Sequence, residues 1–203
     1  MGGIHLIQKK DILYATLELA SIHGLRSLSL SQIAESVGIK KASLYNHFHS
    51  KEELITNLYQ YLREESKGNM PAIDYGEFVK GKSAEDVLTI SCANYRKMIG
   101  NENMMKFYKV IMSERPFSKE AANILLLETE KMLLTTKQLL YAMQIHKLLD
   151  FTNIDMAALS YAMTIHNLIE YCIDKLVVQN MNCDYLFDEY INSFCELYKI
   201  KGE

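Results

Sequence analysis

The segment "GIKKASLYNHFHSKEEL", residues 38–54, decides how this chain is read. Leu44 and Phe48 are its large apolar anchors, and Lys40, Lys41, Ser43, Tyr45, Asn46, His47 and His49 crowd around them. A core helix would be more apolar, and a surface loop would hold fewer aromatics. On a helical wheel Leu44 and Phe48, four apart, share one face. Ala42, Ser43, Tyr45 and Asn46 point away, with His47 at the border. That outer ridge carries groups short enough to meet base edges and phosphates in a DNA major groove. Ala42 suits a thymine methyl, and Ser43 and Asn46 suit base edges, Asn best with adenine. Tyr45 and His47 have the length to reach the sugar–phosphate backbone. Lys40 and Lys41 sit at the helix start, where backbone N–H groups already favour anions. Lys51 does the same on the next helix. The plainer alternative is a solvated face with lysines at its helix ends.

The flanking sequence sets this ridge in a helix-turn-helix. Upstream, residues 7–23 have helical period, with Ile12, Ala15, Leu19 and Ile22 on one face and Leu13, Leu17 and Ala20 beside it. Gly24 then supplies a C-terminal stop. "SLSQIAESVG" follows, with Ser29 and Gln32 at capping-box spacing and Ile33, Ala34 and Val37 as the buried side. Gly38 ends this helix, and the next is expected from about Lys41 to Phe48. Two short helices across a glycine turn, behind a longer one, are the helix-turn-helix pattern, whose second helix enters the major groove. Ser50 and Glu53 then open a helix expected to run to about Glu65, with Leu54, Leu58, Tyr61 and Leu62 inward.

Residues 66–82, with three glycines and a proline, are the clearest break in the chain, and a domain boundary is placed there. Helices are expected beyond it at 84–99, 102–113, 118–146, 153–179 and 184–199, the fourth capped by Thr152 and Asp155. The whole chain is thus expected to be all-α. Its 203 residues, 49% hydrophobic with two prolines and nine glycines, suit a helical protein with a real core. Net charge is −3, but residues 1–51 hold six Lys/Arg against three Asp/Glu, a basic head on an acidic remainder. Cys92, Cys172, Cys183 and Cys195 lack CxxC spacing and read as reduced, buried thiols. There is no signal peptide and no run of 18 apolar residues, so a cytoplasmic protein without a membrane partner is expected. No nucleophile motif, carboxylate cluster or glycine-rich phosphate loop supports an enzyme, and no cofactor is implied. His166 with Glu170, and His146 with Asp150, are read as local hydrogen-bonded pairs, with no metal site expected.

"LSLSQIAESVGIKKASLYNHFHSKEEL" resembles the DNA-binding region of the tetracycline-repressor (TetR) family of bacterial transcription regulators. The family pattern is met by Ser29, Ile33-Ala34, Gly38-Ile39, Leu44-Tyr45-Asn46-His47-Phe48 and Lys51, and the match covers about residues 8–60. The resemblance implies phosphate contacts from Ser29, Tyr45, His47 and Lys51, and a base-facing set of Lys41, Ala42, Ser43 and Asn46. Two positions depart from the pattern: Lys40 stands where a capping serine is common, and Ser31 where an arginine is common. The operator sequence therefore does not follow from relatives.

The resemblance also implies a DNA-binding domain at 1–65 and a helical effector-binding and dimerisation domain at 66–203, acting as a repressor that a small molecule releases. The helix at 153–179 independently shows two apolar faces. One runs Ala158, Ala162, Ile165, Ile169, Cys172, Leu176, and the other Leu159, Met163, His166, Ile173, Val177. The last helix repeats this, so a homodimer through the last two helices is expected, although a bundle could bury both faces internally. Tyr95, Met98, Phe107, Tyr108, Met112, Tyr141, Met163 and His166 are candidates to line a small-molecule pocket; core packing is their alternative. Two other classes stay open: a body that binds a protein partner, and a helical carrier or enzyme with a degenerate head.

Overall fold

The structure, a computed structural model, describes residues 7–68 and 73–200, with the side chains of 62 and 65–68 excepted. The break expected at 66–82 therefore falls partly outside the described residues, as does the side chain of Leu62. The described chain is helical throughout and divides into two compact units, Met1–Pro71 with Asn101–Leu126, and Ala72–Gly100 with Leu127–Glu203.

The first unit contains α1 (Lys9–His23), α2 (Leu30–Ser36), α3 (Lys41–Leu44), α4 (Lys51–Gly68) and α7 (Glu102–Glu114). It also takes the first turns of α8 (Lys119–Ile145). Its core joins Ile12, Leu13 and Leu17 of α1 to Ile33, Leu44, Phe48, Leu54 and Leu58, and to Phe107, Val110 and Ile111 of α7. Residues 101–126 group with the N-terminal segment in this unit. The apolar face of α7 packs on α1 and completes the core that the head alone leaves open.

The buried face of α1 is Ile12, Leu13, Thr16, Leu17, Ala20 and Ser21, rotated from the expected stripe; Ile22 is exposed. Thr16 and Ser21 tolerate burial because each hydroxyl donates to a backbone carbonyl of its own helix, Ile12 at 2.7 Å and Glu18 at 2.8 Å. Both expected capping interactions are formed: Gln32 N–H donates to Ser29 at 3.3 Å and Glu53 N–H to Ser50 at 3.0 Å.

The second unit contains α5 (Tyr75–Val79), α6 (Ala84–Ile99), the rest of α8, α9 (Ile154–Gln179) and α10 (Tyr185–Leu197). Its core includes Val87, Leu88 and Cys92 of α6, Leu140 and Met143 of α8, Ala158, Ala162 and Ile165 of α9, and Phe187, Ile191 and Phe194 of α10. Phe194 lies at the centre of an aromatic cluster, 4.8 Å from Tyr198 and 4.9 Å from Tyr161 between ring centroids. Asn153, not Thr152, caps α9, accepting the Met156 N–H at 3.1 Å. The first face of α9 is buried as far as Ile169, whereas Leu176 and, on its second face, Val177 are exposed. Among the described residues, no helix is long and apolar enough to cross a membrane.

Candidate nucleic-acid interface

The α2–α3 turn is built by Gly38, which adopts φ 71°. An L-residue at this φ is strained, and glycine is not. The conformation lets Gly38 N–H bond Glu35 O at 3.0 Å and Ile39 N–H bond Ala34 O at 3.0 Å, closing the carbonyl end of α2. The chain then re-enters helix at Lys41, with Lys40 in the extended cap position and no side-chain cap bond.

The recognition segment is shorter as regular helix than its sequence suggests. After one α-turn it tightens: Asn46 N–H bonds Ser43 O at 3.2 Å and His47 N–H bonds Leu44 O at 2.9 Å, before Phe48 N–H returns to an i−4 bond with Leu44 O at 3.0 Å. The facing of the side chains is as expected. Leu44 and Phe48 are fully buried in the first unit's core; Lys40, Lys41, Ala42, Tyr45 and Asn46 are exposed; Ser43 and His47 are half-buried at the edge. Tyr45, a large aromatic, is 42% exposed.

Two predicted contact residues carry additional internal bonds. Ser29 caps α2, and its hydroxyl also bonds Gln32 Oε1 at 2.8 Å, so it sits beside the N-terminus of α2 in a fixed rotamer. The Lys51 ammonium donates to the Arg26 carbonyl at 3.0 Å, which holds it over the turn ahead of α2 with two donors to spare. Sequence reasoning passed over Lys9 and Arg26. Lys9 Nζ lies 5.3 Å from the Phe48 ring centroid, which places a cation beside the recognition segment. Arg26 stacks 4.0 Å over Phe117 and pairs through Nε with the buried Glu114 carboxylate at 3.2 Å. The only sequence sign of either was its positive charge in the basic head.

The eight expected pocket residues do not gather into one site within either unit. Phe107 is buried in the first unit's core, Tyr108 is half-buried against it, and Met112 is exposed. Tyr95, Met98, Tyr141, Met163 and His166 belong to the second unit. There the Tyr95 hydroxyl lies 2.9 Å from His166 Nδ1 and donates to Met132 Sδ at 3.1 Å, joining α6, α8 and α9. The recorded partner of His166 is thus Tyr95 rather than Glu170, and Asp150 accepts from Gln144 at 3.3 Å. Tyr141 is exposed. Two open clefts lie in the second unit. One, of about 430 Å³, is lined by Arg96, Ile99, Ile169, Cys172, Cys183 and Phe187 among others. The other, of about 400 Å³, includes Met163, Leu168 and Tyr171.

A capped helix, a glycine turn, and a short second helix offering a polar ridge over a buried apolar footing define a helix-turn-helix DNA-binding protein. Residues 12–58 match the model of bacterial regulatory proteins of the tetR family, and the chain carries a DNA-binding domain of that kind. The whole-chain fold is also that of known regulators. A protein from Mesorhizobium loti assigned to the TetR-family transcriptional regulators is 15% identical, with a TM-score of 0.67 over 95% of this chain and 96% of its own. A TetR transcription regulator from Haloarcula marismortui is 14% identical, with a TM-score of 0.65 over 94% and 97%. A transcriptional regulator from Saccharomonospora viridis, solved in complex with choline, is 14% identical, with a TM-score of 0.67 over 93% and 95%. No curated protein matches the chain by sequence.

Proposed function

We propose that the protein is a homodimeric repressor that holds a palindromic operator through two copies of the ridge at 40–47 and releases it when a small molecule binds the second unit. The observation that carries this reading is the exposed ridge of Lys41, Ala42, Tyr45 and Asn46, with half-buried Ser43 at its edge, seated on buried Leu44 and Phe48. Ala42, Ser43 and Asn46 face the bases, Lys41 stands at the helix start where it serves a base edge or a phosphate, and Lys40, Tyr45, His47, Ser29 and Lys51 meet the backbone. The DNA-reading head is the segment 1–65, braced by α7. Dimerisation is supported by the second face of α9, where Leu159 and Val177 are solvent-exposed in the single chain, and by Leu197 on α10. An apolar helix face of this kind gains free energy from a symmetry mate. Two copies are also what successive half-sites one DNA turn apart require.

For the effector, the Tyr95–His166 pair supplies a polar anchor among methionine and aromatic side chains of α6, α8 and α9. The choline complex of the Saccharomonospora viridis protein is a precedent for a small cation in this fold. An effector acts only by binding the DNA-incompatible arrangement more tightly than the compatible one.

The test is selection of binding sites from random duplexes, followed by titration of the winner. The expected result is a palindrome whose half-sites lie about one turn apart. Tyr45→Phe with His47→Ala should weaken binding to it while leaving the helical circular dichroism unchanged. Recovery of no preferred duplex, or an unaltered affinity in the double variant, would overturn the assignment.

A further inference from the structure

The turn after α9 brings two thiols together. Asn180, at φ 53°, closes α9 in the left-handed conformation, its N–H bonding Leu176 O at 3.0 Å. Two residues on, Asn182 Oδ1 accepts the Asp184 N–H at 2.6 Å, and Asn182 Nδ2 donates to Asp184 Oδ2 at 3.1 Å. Asp184 is ion-paired with Arg96 of α6, and the Arg96 guanidinium lies 4.3 Å over the Phe187 ring. The turn is thus fixed at the end of α9, within itself and against α6. Between these ties Cys183 offers its carbonyl to the Cys172 thiol at 3.6 Å, which sets the two cysteines side by side. Both residues line the open 430 Å³ cleft; Cys92 and Cys195 do not.

We propose that Cys172 and Cys183 are an oxidisable thiol pair that closes to an intramolecular disulfide when hydrogen peroxide or an organic hydroperoxide enters this cleft. Cys172 is half-buried and Cys183 is buried, so Cys172 meets the oxidant first and Cys183 resolves it. The Cys172 thiol loses its proton to solvent, and the thiolate attacks one peroxide oxygen. The O–O bond breaks, leaving Cys172 as a sulfenic acid and the second oxygen as hydroxide or alkoxide, which takes up a proton. The Cys183 thiolate then attacks the Cys172 sulfur, the S–O bond breaks, and the departing oxygen leaves as water. With hydrogen peroxide, two thiols and one peroxide give one disulfide and two waters, and two electrons pass from sulfur to oxygen.

Burial, and the neighbouring Cys183, push the Cys172 thiol above its ordinary range, against the pull of the Arg96 guanidinium; the Asp184 carboxylate also raises it. The thiolate is the reacting form, so the pair is slow at neutral pH and accelerates by about tenfold per pH unit until the thiol is titrated. Once formed, the bridge ties α9 to the segment that opens α10. These two helices carry the exposed apolar face assigned above to the dimer, so oxidation stiffens the support of that face. The chemistry itself does not depend on the dimer assignment.

The experiment treats the full chain with hydrogen peroxide at two pH values, quenches with an alkylating agent under denaturing conditions, and maps the peptides by mass. The expected product is a Cys172–Cys183 peptide within one chain, two hydrogens lighter than the reduced pair, formed faster at the higher pH and reversed by dithiothreitol. Cys183→Ser should remove the bridge and leave Cys172 oxidised to sulfenic or sulfinic acid. Both thiols remaining alkylatable, a bridge between chains, or pairing through Cys92 or Cys195 would each overturn the proposal. No DNA enters the assay, so its failure leaves the operator-binding proposal untouched.

Discussion

Replacing Lys41 with alanine should change the salt dependence of operator binding more than it changes the fold. Lys41 is exposed at the first position of α3, and its side chain has no internal hydrogen bond or ion pair among the described contacts. Lys40 precedes it, equally exposed. Counterion release gives a slope of log affinity against log salt of about −0.9 per neutralised phosphate. Two such lysines on each of two heads give a slope of about −3.6, which is a loss of about a hundredfold between roughly 50 and 200 mM salt. This sum counts only the two lysines at the start of α3; every further phosphate contact, that of Lys51 included, steepens the wild-type and variant slopes equally. Lys41→Ala removes one contact per head, so the slope should shrink to about −1.8 and the loss to about tenfold. Affinity should fall across all operator sequences alike if the lysine meets phosphate, and at one base position if it reads a base. The assay is fluorescence anisotropy with a labelled duplex at four or more salt concentrations. A variant whose slope matches the wild type would refute the placement of Lys41 against DNA.

Three stability predictions follow from the same unit. Arg26→Ala leaves the Glu114 carboxylate, 10% exposed, without its guanidinium and removes the stack on Phe117; because Arg26 is itself 57% exposed, the cost should be about 1–2 kcal/mol, read as a lower urea midpoint. Ser29→Ala removes the capping box of α2 and should cost about 1 kcal/mol, while Ser29→Asp should retain most of the stability. Tyr59 is buried, and its phenol is pushed up to about 12, first by burial and then by Glu114 and Glu120, against the pull of Arg26. An unfolded tyrosine ionises near 10, so this contribution is fully present below pH 10 and is lost as pH rises from 10 towards 12. Tyr59→Phe should lose stability less steeply across that window than the wild type, as followed by urea melts at each pH.

The parts of the molecule that were legible in the sequence are those that depend on near neighbours. Ser29 with Gln32 and Ser50 with Glu53 sit three residues apart, and the bonds they form are local, so spacing was enough to find them. The ridge was legible because Leu44 and Phe48 fix one face of a short segment, and everything between them must then point elsewhere. The face of α1 was misplaced because Thr16 and Ser21 bury hydroxyls that bond their own helix, a satisfaction that polarity alone does not reveal. The assignment of α7 to the first unit was illegible for a different reason. Phe107, Val110 and Ile111 have ordinary helical spacing, and which apolar face they meet is decided dozens of residues away. The pocket candidates fall in both units for that same reason, since helical period identifies a buried side chain without naming its neighbours.

The grouping of residues 101–126 with the N-terminal helices has a consequence for recombination and design. A hybrid regulator made by joining one relative's first 65 residues to another's remainder would pair a foreign α1 with the resident Phe107, Val110 and Ile111, and so assemble a hybrid core. Swapping DNA specificity by cut-and-paste therefore requires two cassettes, one before the body begins and one threaded through its middle. Lineages that trade heads must trade that inner cassette too, or re-tailor it afterwards.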